Sequence, residues 1–559
     1  MTLILPSFLL ACGVILILIH LLPRKLYFPY LLLSVAIILI VTYCLFPAQR
    51  IVSNHGLFHS AVIYQMLAGS IPPDNPFLAG TALHYPWVYD LLIAGLMKCF
   101  SITPSIAFVT SNVGAWMAIC LLVYSISRRL FPDAASNAAS TAMALLANTL
   151  VGARFNGWIE DHFHVLFELR GVPAVIKFSN INAYPVGLVF FFTVIVALIN
   201  IASRRHRLLN HFLFGLCLVI TGFVYPLLIF NCLASVGAIT AVALFCHCRK
   251  IDFVELKQIL IIGATTIVCC LILKPFYDSV GTGMNFTLFF FSSLSRENVT
   301  RKLLGFLVHG LIPLLLIICY RKYLLASLDR RTLLLIGCVA AASASTFFTF
   351  HIYDTGEYKF QVTTMVLLGI VAGLAVKPFL QSRLRHLAWF VVPVLLFVPF
   401  DNLRAKCAKS APRFVEAGGR YRVTDDPEEN ELCRWIRKAT AVDSVWVDLE
   451  LHLPVLAQRK LLFAPNFLGT QGYGFELYEH LTVDHSHARQ SLNIARTLYE
   501  STDPLDAEQM EHLRQLEVDV FLLARSREKA QRMKTMGHAR VFATDSERFA
   551  VFQIIRRSQ

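Results

Sequence analysis

The chain has 559 residues, of which 56% are apolar and 15% are charged, and 50 Lys and Arg against 36 Asp and Glu give a formal net charge of +14. Soluble globular proteins average about 25% charged residues, and disordered chains combine low hydrophobicity with high charge, so both classes are excluded. With a mean hydropathy of +0.61, the recurrent apolar runs predict a polytopic, α-helical membrane protein.

The apolar runs predict about twelve transmembrane helices, the shortest of them marginal for a full crossing. The predicted spans are 3–22, 28–46, 103–126, 134–152, 185–202, 208–224, 227–246, 259–273, 304–320, 332–350, 360–376 and 387–400. Clusters of Lys and Arg occupy alternate gaps between them, and the positive-inside rule assigns those gaps to the cytoplasm. The other gaps, rich in His, Asp and Glu, are therefore predicted to face outward, as is everything after residue 401.

The first outer gap contains the most informative sequence. His55 and His59 are four residues apart and share one face of a helix if that helix begins early enough. A stretch rich in Pro and Gly follows and includes Asp74, and His84 and Tyr85 come after it. The apolar faces of the flanking segments predict jaw helices that lie in the membrane interface. Ordinary interfacial histidines are the alternative to contact with a substrate or a metal.

The second outer gap has two carboxylates and two histidines directly after a predicted membrane helix, where charge is costly. Carboxylates suit Mg²⁺ or Mn²⁺ and imidazole is compatible with Mn²⁺, so this stretch predicts a divalent-cation site. The candidate ligands are Glu160, Asp161, His162 and His164. Asp161 as a general base, and a solvated loop with an incidental acid pair, are the other two interpretations.

A short outer turn late in the membrane region contains Asp354, Glu357 and Lys359. Lys359 at the mouth of a helix suits either a bound phosphate or simple extension of the side chain to the interface. Arg154 and Lys177 add positive charge on the same predicted side, which suits an anionic lipid phosphate and equally suits ordinary headgroups.

After residue 401 the composition becomes that of a soluble protein, in which helical periodicity alternates with short strand-like runs. The predicted helices are 426–440, 476–500 and 507–516, and the predicted strands are 444–448, 460–464, 518–523, 540–543 and 550–555. The chain is thus divided into a transmembrane region, 1–400, and an extracytoplasmic soluble α/β domain, 401–559. This domain has no phosphate-binding or nucleophile motif, so we interpret it as a cap or acceptor-positioning domain.

Three short motifs stand in the first outer gap: a His on a jaw helix, Gly69 followed by Pro72, and Gly80 followed by Tyr85 and Pro86. With the outer C-terminal domain, they resemble the integral-membrane glycosyltransferases of the GT-C superfold, which transfer mannose, arabinose or aminoarabinose from dolichyl- or undecaprenyl-phosphate. The resemblance implies a GT-C-like fold, a polyprenyl-phosphate-linked sugar as donor, and inversion at the anomeric carbon with an outer-loop carboxylate as base or metal ligand.

The resemblance also implies roles for individual residues. Because Asn54 stands where the family usually has an Asp, the predicted base is Asp161, His55 or Asp74. An imidazole titrates near neutral pH and suits this role. Substrate contacts are predicted for His59, His84, Tyr85, Arg154, Lys177, Asp354, Glu357 and Lys359.

The predicted function is transfer of the sugar to a glycan, lipid or protein acceptor on the outer face of a bacterial inner membrane, among membrane lipids and without a nucleic-acid partner. Two other functions stay open. Few charges lie within the predicted spans, which disfavours a lipid or solute transporter. Asn54 favours a GT-C-like assembly protein without catalytic activity.

Overall fold

A computed structural model describes most of the chain after residue 53. The described residues are 54–83, 85–131, 134–146, 183–202, 207–246, 253–279, 288–289, 307, 310–326, 330–347, 349–350, 358–387, 414–417, 420–423, 426–448, 453–463, 485–501 and 504–557. The predicted spans at 3–22 and 28–46, and nearly all of the span at 387–400, lie outside these ranges.

The described residues before position 400 are mostly helical. The helices are α1 (Asn54–Leu67), α2 (Val88–Phe100), α3 (Pro104–Leu130), α4 (Ala134–Leu146), α5 (Tyr184–Ala202), α6 (Arg207–Val224), α7 (Pro226–Cys246), α8 (Phe253–Ser279), α9 (Gly310–Cys319), α10 (Arg321–Ala326), α11 (Arg330–Phe347), α12 (Tyr358–Ala372) and α13 (Val376–Gln381), with 3-10 turns at Gly373–Ala375 and Arg383–Leu387. Within the described ranges, four helical stretches are long and apolar enough to cross a membrane: Ile106–Leu130, Tyr184–Ile201, Leu256–Asp278 and Val362–Gln381. The chain is a multi-pass membrane protein, and the full count of about twelve crossings stays a prediction.

Burial separates central helices from peripheral ones. Helix α5 is buried along its whole apolar length and packs on α3 and α6. Helix α8 packs on α6 and leaves large apolar side chains such as Leu260, Ile267 and Leu271 exposed. In a bilayer such a face contacts lipid chains, so α5 belongs to the core and α8 to the lipid-facing rim.

Polar side chains link three helices at one end of the helical region. Arg129 Nε donates to Asn200 Oδ1 at 2.8 Å, and Asn200 Nδ2 donates to Asn210 Oδ1 at 3.1 Å. These contacts join the end of α3, the end of α5 and the start of α6. These three helix ends therefore lie at the same end of the helical region.

Two glycines one helical turn apart bring α12 against α4. A Cβ added at Gly369 would lie 2.6 Å from Cα of Ala144, and one added at Gly373 would meet the Ser140 side chain. Ser140 Oγ donates to the carbonyl oxygen of Ile370 at 3.0 Å across the same contact. Small residues spaced in this way let two helix backbones approach closely in a membrane.

We expect Gly369→Val to force α12 away from α4 and to lower the free energy of unfolding by about 1–3 kcal/mol, because the added atoms meet backbone rather than a flexible side chain. An unfolding titration in detergent micelles measures this. Gly263→Val is the matched control, since a Cβ at Gly263 on α8 meets nothing within 4 Å. Equal losses in the two variants would contradict the close contact as the cause.

The described strands form two short pairs and one larger sheet. The strands are β1 (Leu288–Phe289), β2 (Thr349–Phe350), β3 (Phe414–Ala417), β4 (Arg420–Val423), β5 (Val445–Val447), β6 (Lys460–Leu461), β7 (Val520–Ala524), β8 (Ala539–Ala543) and β9 (Ala550–Ile555). Strands β1 and β2 pair antiparallel, as do β3 and β4. The five-stranded sheet has the order β6-β5-β7-β9-β8, with β6, β5 and β7 parallel and β9 antiparallel to both of its neighbours.

Helices also occur among the described residues after position 426. They are α14 (Pro427–Ala439), α15 (Leu453–Leu456), α16 (His485–Glu500), α17 (Ala507–Arg514) and α18 (Arg527–Thr535). Asp426 caps α14 by accepting from the amide of Glu429, and the fully buried Trp446 stacks on Phe521 with the ring centroids 4.9 Å apart. The sequence analysis predicted neither α18 nor the β3–β4 hairpin, and its strand at 460–464 has only two residues in the sheet.

Candidate functional site

The segment between α1 and α2, hereafter the first loop (residues 68–87), folds back on itself. Asp74 and Ala82 form an antiparallel bridge, and the amide of Asn75 donates to the carbonyl oxygen of Thr81 at 3.0 Å. The tip, Phe77–Ala79, is buried. Backbone bonds within the loop and burial of its tip give it one defined shape.

A buried pair of ionisable side chains joins the two helices that flank the first loop. His59 of α1 and Asp90 of α2 lie 2.7 Å apart, Nδ1 to Oδ1, and their side chains are 1% and 0% exposed. With the carboxylate ionised, Nδ1–H is the donor, which leaves Nε2 as an acceptor. Burial raises the pKa of the Asp90 carboxyl, and the adjacent imidazole opposes this rise.

The surroundings of this pair are aromatic. The rings of Phe58, Tyr85, Tyr89 and Phe108 lie with their centroids 5.3, 5.9, 5.7 and 6.2 Å from that of His59. Among the described residues, no hydrogen-bond partner contacts His59 Nε2 or Asp90 Oδ2. The pair is therefore a polar contact enclosed by aromatic rings. Each side chain has one further polar atom, Nε2 of His59 and Oδ2 of Asp90.

The first loop lies against the helix ends opposite Arg129. Trp87 contacts the ring of Phe276 near the end of α8, at 5.9 Å between centroids, and Phe276 contacts Phe223 near the end of α6 at 4.9 Å. On the same end of the bundle, Tyr184 at the start of α5 lies 3.3 Å, Oη to Oγ1, from Thr363 near the start of α12. The loop and these helix ends thus face one side of the membrane region, as the predicted topology requires.

The first loop also contacts the C-terminal sheet. Lys460 of β6 lies 2.5 Å, Nζ to Oδ2, from Asp74. The amide of Ala79 donates to the carbonyl oxygen of Leu461, and the amide of Leu461 donates to that of Pro76, both at 2.9 Å. Segments almost four hundred residues apart in sequence therefore meet at one junction.

The structure describes only some of the predicted site residues in full. The side chains of His59, Asp74 and Tyr85 are described, and His59 and Tyr85 lie together. Helix α1 begins at Asn54 and includes His55, which lies one turn before His59, and helix α12 includes Lys359 in its first turn. The predicted residues outside the described ranges are His84, Arg154, Glu160, Asp161, His162, His164, Lys177, Asp354 and Glu357.

Two residues of this region were missed by the sequence analysis, Asp90 and Lys460. A signal for Asp90 was present, since a single carboxylate in the apolar run Val88–Phe100 needs a partner when that run is buried. Nothing local marks Lys460 as a partner of Asp74. Within the described ranges, no group of three or more His, Cys, Asp and Glu side chains could hold a metal ion.

Comparisons with known proteins give structural likeness only. No protein-family model matches the chain, and no curated protein sequence matches it. The crystal structure of ArnT from Cupriavidus metallidurans in the apo state is 11% identical, covers 95% of this chain and 99% of its own, and superposes with a TM-score of 0.52. The same ArnT bound to undecaprenyl phosphate gives a TM-score of 0.51 at the same identity and coverage.

An oligosaccharyltransferase from Archaeoglobus fulgidus, in complex with Zn and sulfate, is 11% identical over 88% of this chain and 67% of its own, with a TM-score of 0.45. At such low identity, likeness establishes the fold and nothing beyond it. The two ArnT structures thus confirm the fold that the motifs of the first loop predicted, that of the GT-C glycosyltransferases.

Proposed function

We propose that this chain, which has the GT-C fold, is a membrane glycosyltransferase that moves a sugar from a polyprenyl-phosphate donor to a glycan, lipid or protein acceptor. The observation that carries the proposal is the gathering of the first loop, with Tyr85 and the His59–Asp90 pair, at one end of the helical region. A donor whose lipid tail lies in the bilayer presents its phosphate and sugar at such an end. Undecaprenyl phosphate bound to ArnT supports this class of donor.

The phosphate leaving group requires positive charge where it departs. We assign this role to Lys359, Arg154 and Lys177. Lys359 lies in the first turn of α12, and a helix N-terminus adds partial positive charge and free amide donors. The remaining proposed substrate contacts are His59, His84, Tyr85, Asp354 and Glu357.

The acceptor hydroxyl has to lose its proton as it attacks the anomeric carbon. The proposed base is Asp161, His55 or Asp74. His55 precedes His59 by one turn of α1, so the buried contact with Asp90 fixes the backbone that carries it. A divalent cation, Mg²⁺ or Mn²⁺, is proposed at Glu160, Asp161, His162 and His164, where it would offset phosphate charge.

The division into domains and their side of the membrane are proposed as the sequence predicts them. Residues 1–400 form the transmembrane region and residues 401–559 an α/β domain on the extracytoplasmic side of a bacterial inner membrane. The mixed sheet with its helices supports the second assignment. The polar contacts around Arg129 support the side assignment, because Arg129 and the helix ends that it joins lie at the end away from the first loop.

The test is transfer by the purified chain in micelles, with a radiolabelled polyprenyl-phosphate sugar and an acceptor extract. Asp161→Ala is expected to reduce turnover at least about a hundredfold, because loss of a general base or ligand removes stabilisation that only the transition state receives. Asp278→Ala is the matched control, since Asp278 forms only an exposed pair with Lys274 on α8. A rate near that of the unmodified protein would remove Asp161 from the mechanism.

A second candidate function is that of a GT-C-like assembly protein without catalysis, which Asn54 in place of the usual acid favours. The same assay separates the two functions. Binding of the polyprenyl phosphate without turnover, over a panel of donor sugars and with Mg²⁺ or Mn²⁺ present, would support the assembly protein.

A further inference from the structure

The tip of the first loop lies along the edge of the five-stranded sheet. Strand β6 is an edge strand, paired with β5 on one side. On its other side, both backbone groups of Leu461 bond to the loop, its amide to Pro76 and its carbonyl to Ala79. An edge strand presents unpaired backbone groups, and here the first loop occupies them.

Side chains reinforce this junction on both sides of the backbone contact. Lys460 is 16% exposed and its ammonium group lies against the Asp74 carboxylate. His487 of α16 bonds through Nε2 to the carbonyl oxygen of Ala79 at 2.8 Å. The backbone of Gly80 has a φ of +81°, and a Cβ there would lie 2.8 Å from the Leu516 side chain.

We propose that Asp74 is a positioning residue, whose ion pair with Lys460 holds the first loop on the sheet edge and thereby sets the shape of the loop for transfer. This inference rests on the proposed glycosyltransferase function. Its consequence is that the C-terminal sheet takes part in forming the site. It also removes Asp74 from the proposed bases, which leaves Asp161 and His55.

Electrostatics favour this role. The Asp74 carboxylate already has a cation at hydrogen-bond distance, and the amide of Asp74 is held by Ser70 Oγ at 3.1 Å. An ammonium group at this distance forms a charge-assisted hydrogen bond with the carboxylate, which suits an anchor. The loop that Asp74 anchors leads within a few residues to Tyr85 and the His59 enclosure.

The test compares Asp74→Asn with Lys460→Met by two measurements. Hydrogen exchange reports the amides of Ala79 and Leu461, which are bonded only if the junction is closed. Transfer kinetics report the reaction. An amide at position 74 retains a hydrogen-bond acceptor for Lys460, so we expect the kcat of Asp74→Asn to fall by less than about tenfold. We expect the kcat of Lys460→Met to fall by at least as much as that of Asp74→Asn. Exchange at both amides is expected to accelerate about tenfold or more in Lys460→Met.

Two results would overturn the proposal. A loss of a hundredfold or more in kcat for Asp74→Asn with exchange unchanged would make Asp74 a base. Unchanged exchange in Lys460→Met would show that the ion pair does not hold the loop. Arg557→Met is the matched control, because Arg557 pairs with Asp443 at an exposed position elsewhere near the sheet. If the unmodified chain shows no transfer, the proposed function fails, while the exchange measurement still tests the anchor.

Discussion

Asp90→Ala is expected to lower the free energy of unfolding by about 2–3 kcal/mol, because it leaves the buried Nδ1–H of His59 without the carboxylate that accepts from it. His59 and Asp90 are both at most 1% exposed, and four aromatic rings surround the imidazole. The contact is therefore shielded from bulk solvent. An unfolding titration in detergent micelles measures the loss.

Two further variants identify the cause. Asp90→Asn keeps a carbonyl oxygen for His59 Nδ1 and is expected to cost about 1 kcal/mol, in the range of one neutral hydrogen bond. The double variant His59→Phe with Asp90→Ala replaces both polar partners by apolar groups, so we expect it to be more stable than Asp90→Ala alone. A double variant as unstable as the single one would show that lost volume, and not the unpaired imidazole, sets the cost.

The double variant also separates structure from chemistry. Because it keeps the two jaw helices packed, a loss of transfer activity in a stable protein would assign a chemical role to His59 Nε2. Retained activity would limit the pair to holding α1 against α2. Either result refines the predicted substrate contact of His59.

Arg459→Met is expected to lower the free energy of unfolding by a similar amount, about 2–3 kcal/mol, because Arg459 satisfies the end of a helix. Its guanidinium donates to the carbonyl oxygens of Ile436, Arg437 and Thr440, at 3.4, 3.2 and 2.8 Å. The residue is 3% exposed, and burial lowers its pKa to about 10, so it stays charged at neutral pH. Methionine fills much of the volume but removes the guanidinium donors from the carbonyl oxygens of Arg437 and Thr440, whereas that of Ile436 keeps the amide and the hydroxyl of Thr440.

Arg434→Met on the same helix is the matched control. Arg434 is exposed, so its replacement is expected to change the free energy of unfolding by less than about 0.5 kcal/mol. Each variant replaces one arginine by methionine, Arg434 on α14 itself and Arg459 beside the end of α14, which makes the difference between them a measure of the buried contacts. Equal, small effects would show that water reaches the end of α14 and replaces the guanidinium.

Patterns that are local in the sequence predicted much of the fold. The apolar runs 185–202 and 208–224 match α5 and α6, and the strand-like run at 550–555 matches β9. Asp426 before the run at 427–439 is a capping residue, and the structure shows it capping α14. The motifs of the first loop predicted the fold that the ArnT likeness confirms.

The contacts that build the candidate site are not local. His59 and Asp90 are 31 residues apart, and Asp74 and Lys460 are 386 apart. The approach of Gly369 to Ala144 likewise joins distant helices. Such pairs depend on which helix and strand faces meet, and periodicity indicates which face of an element is apolar without indicating its neighbour.

The sequence by itself determined that this is a membrane protein with polar gaps between apolar spans and a polar C-terminal segment, because hydropathy acts through the bilayer on each segment separately. Only the tertiary structure decided which ionisable groups are partners, since a buried charge is stable only beside a specific opposite group brought there by packing. For this reason only the tertiary structure identified Asp90 as the partner of His59 and Lys460 as the partner of Asp74. The first loop follows α1, precedes α2 and contacts the sheet edge.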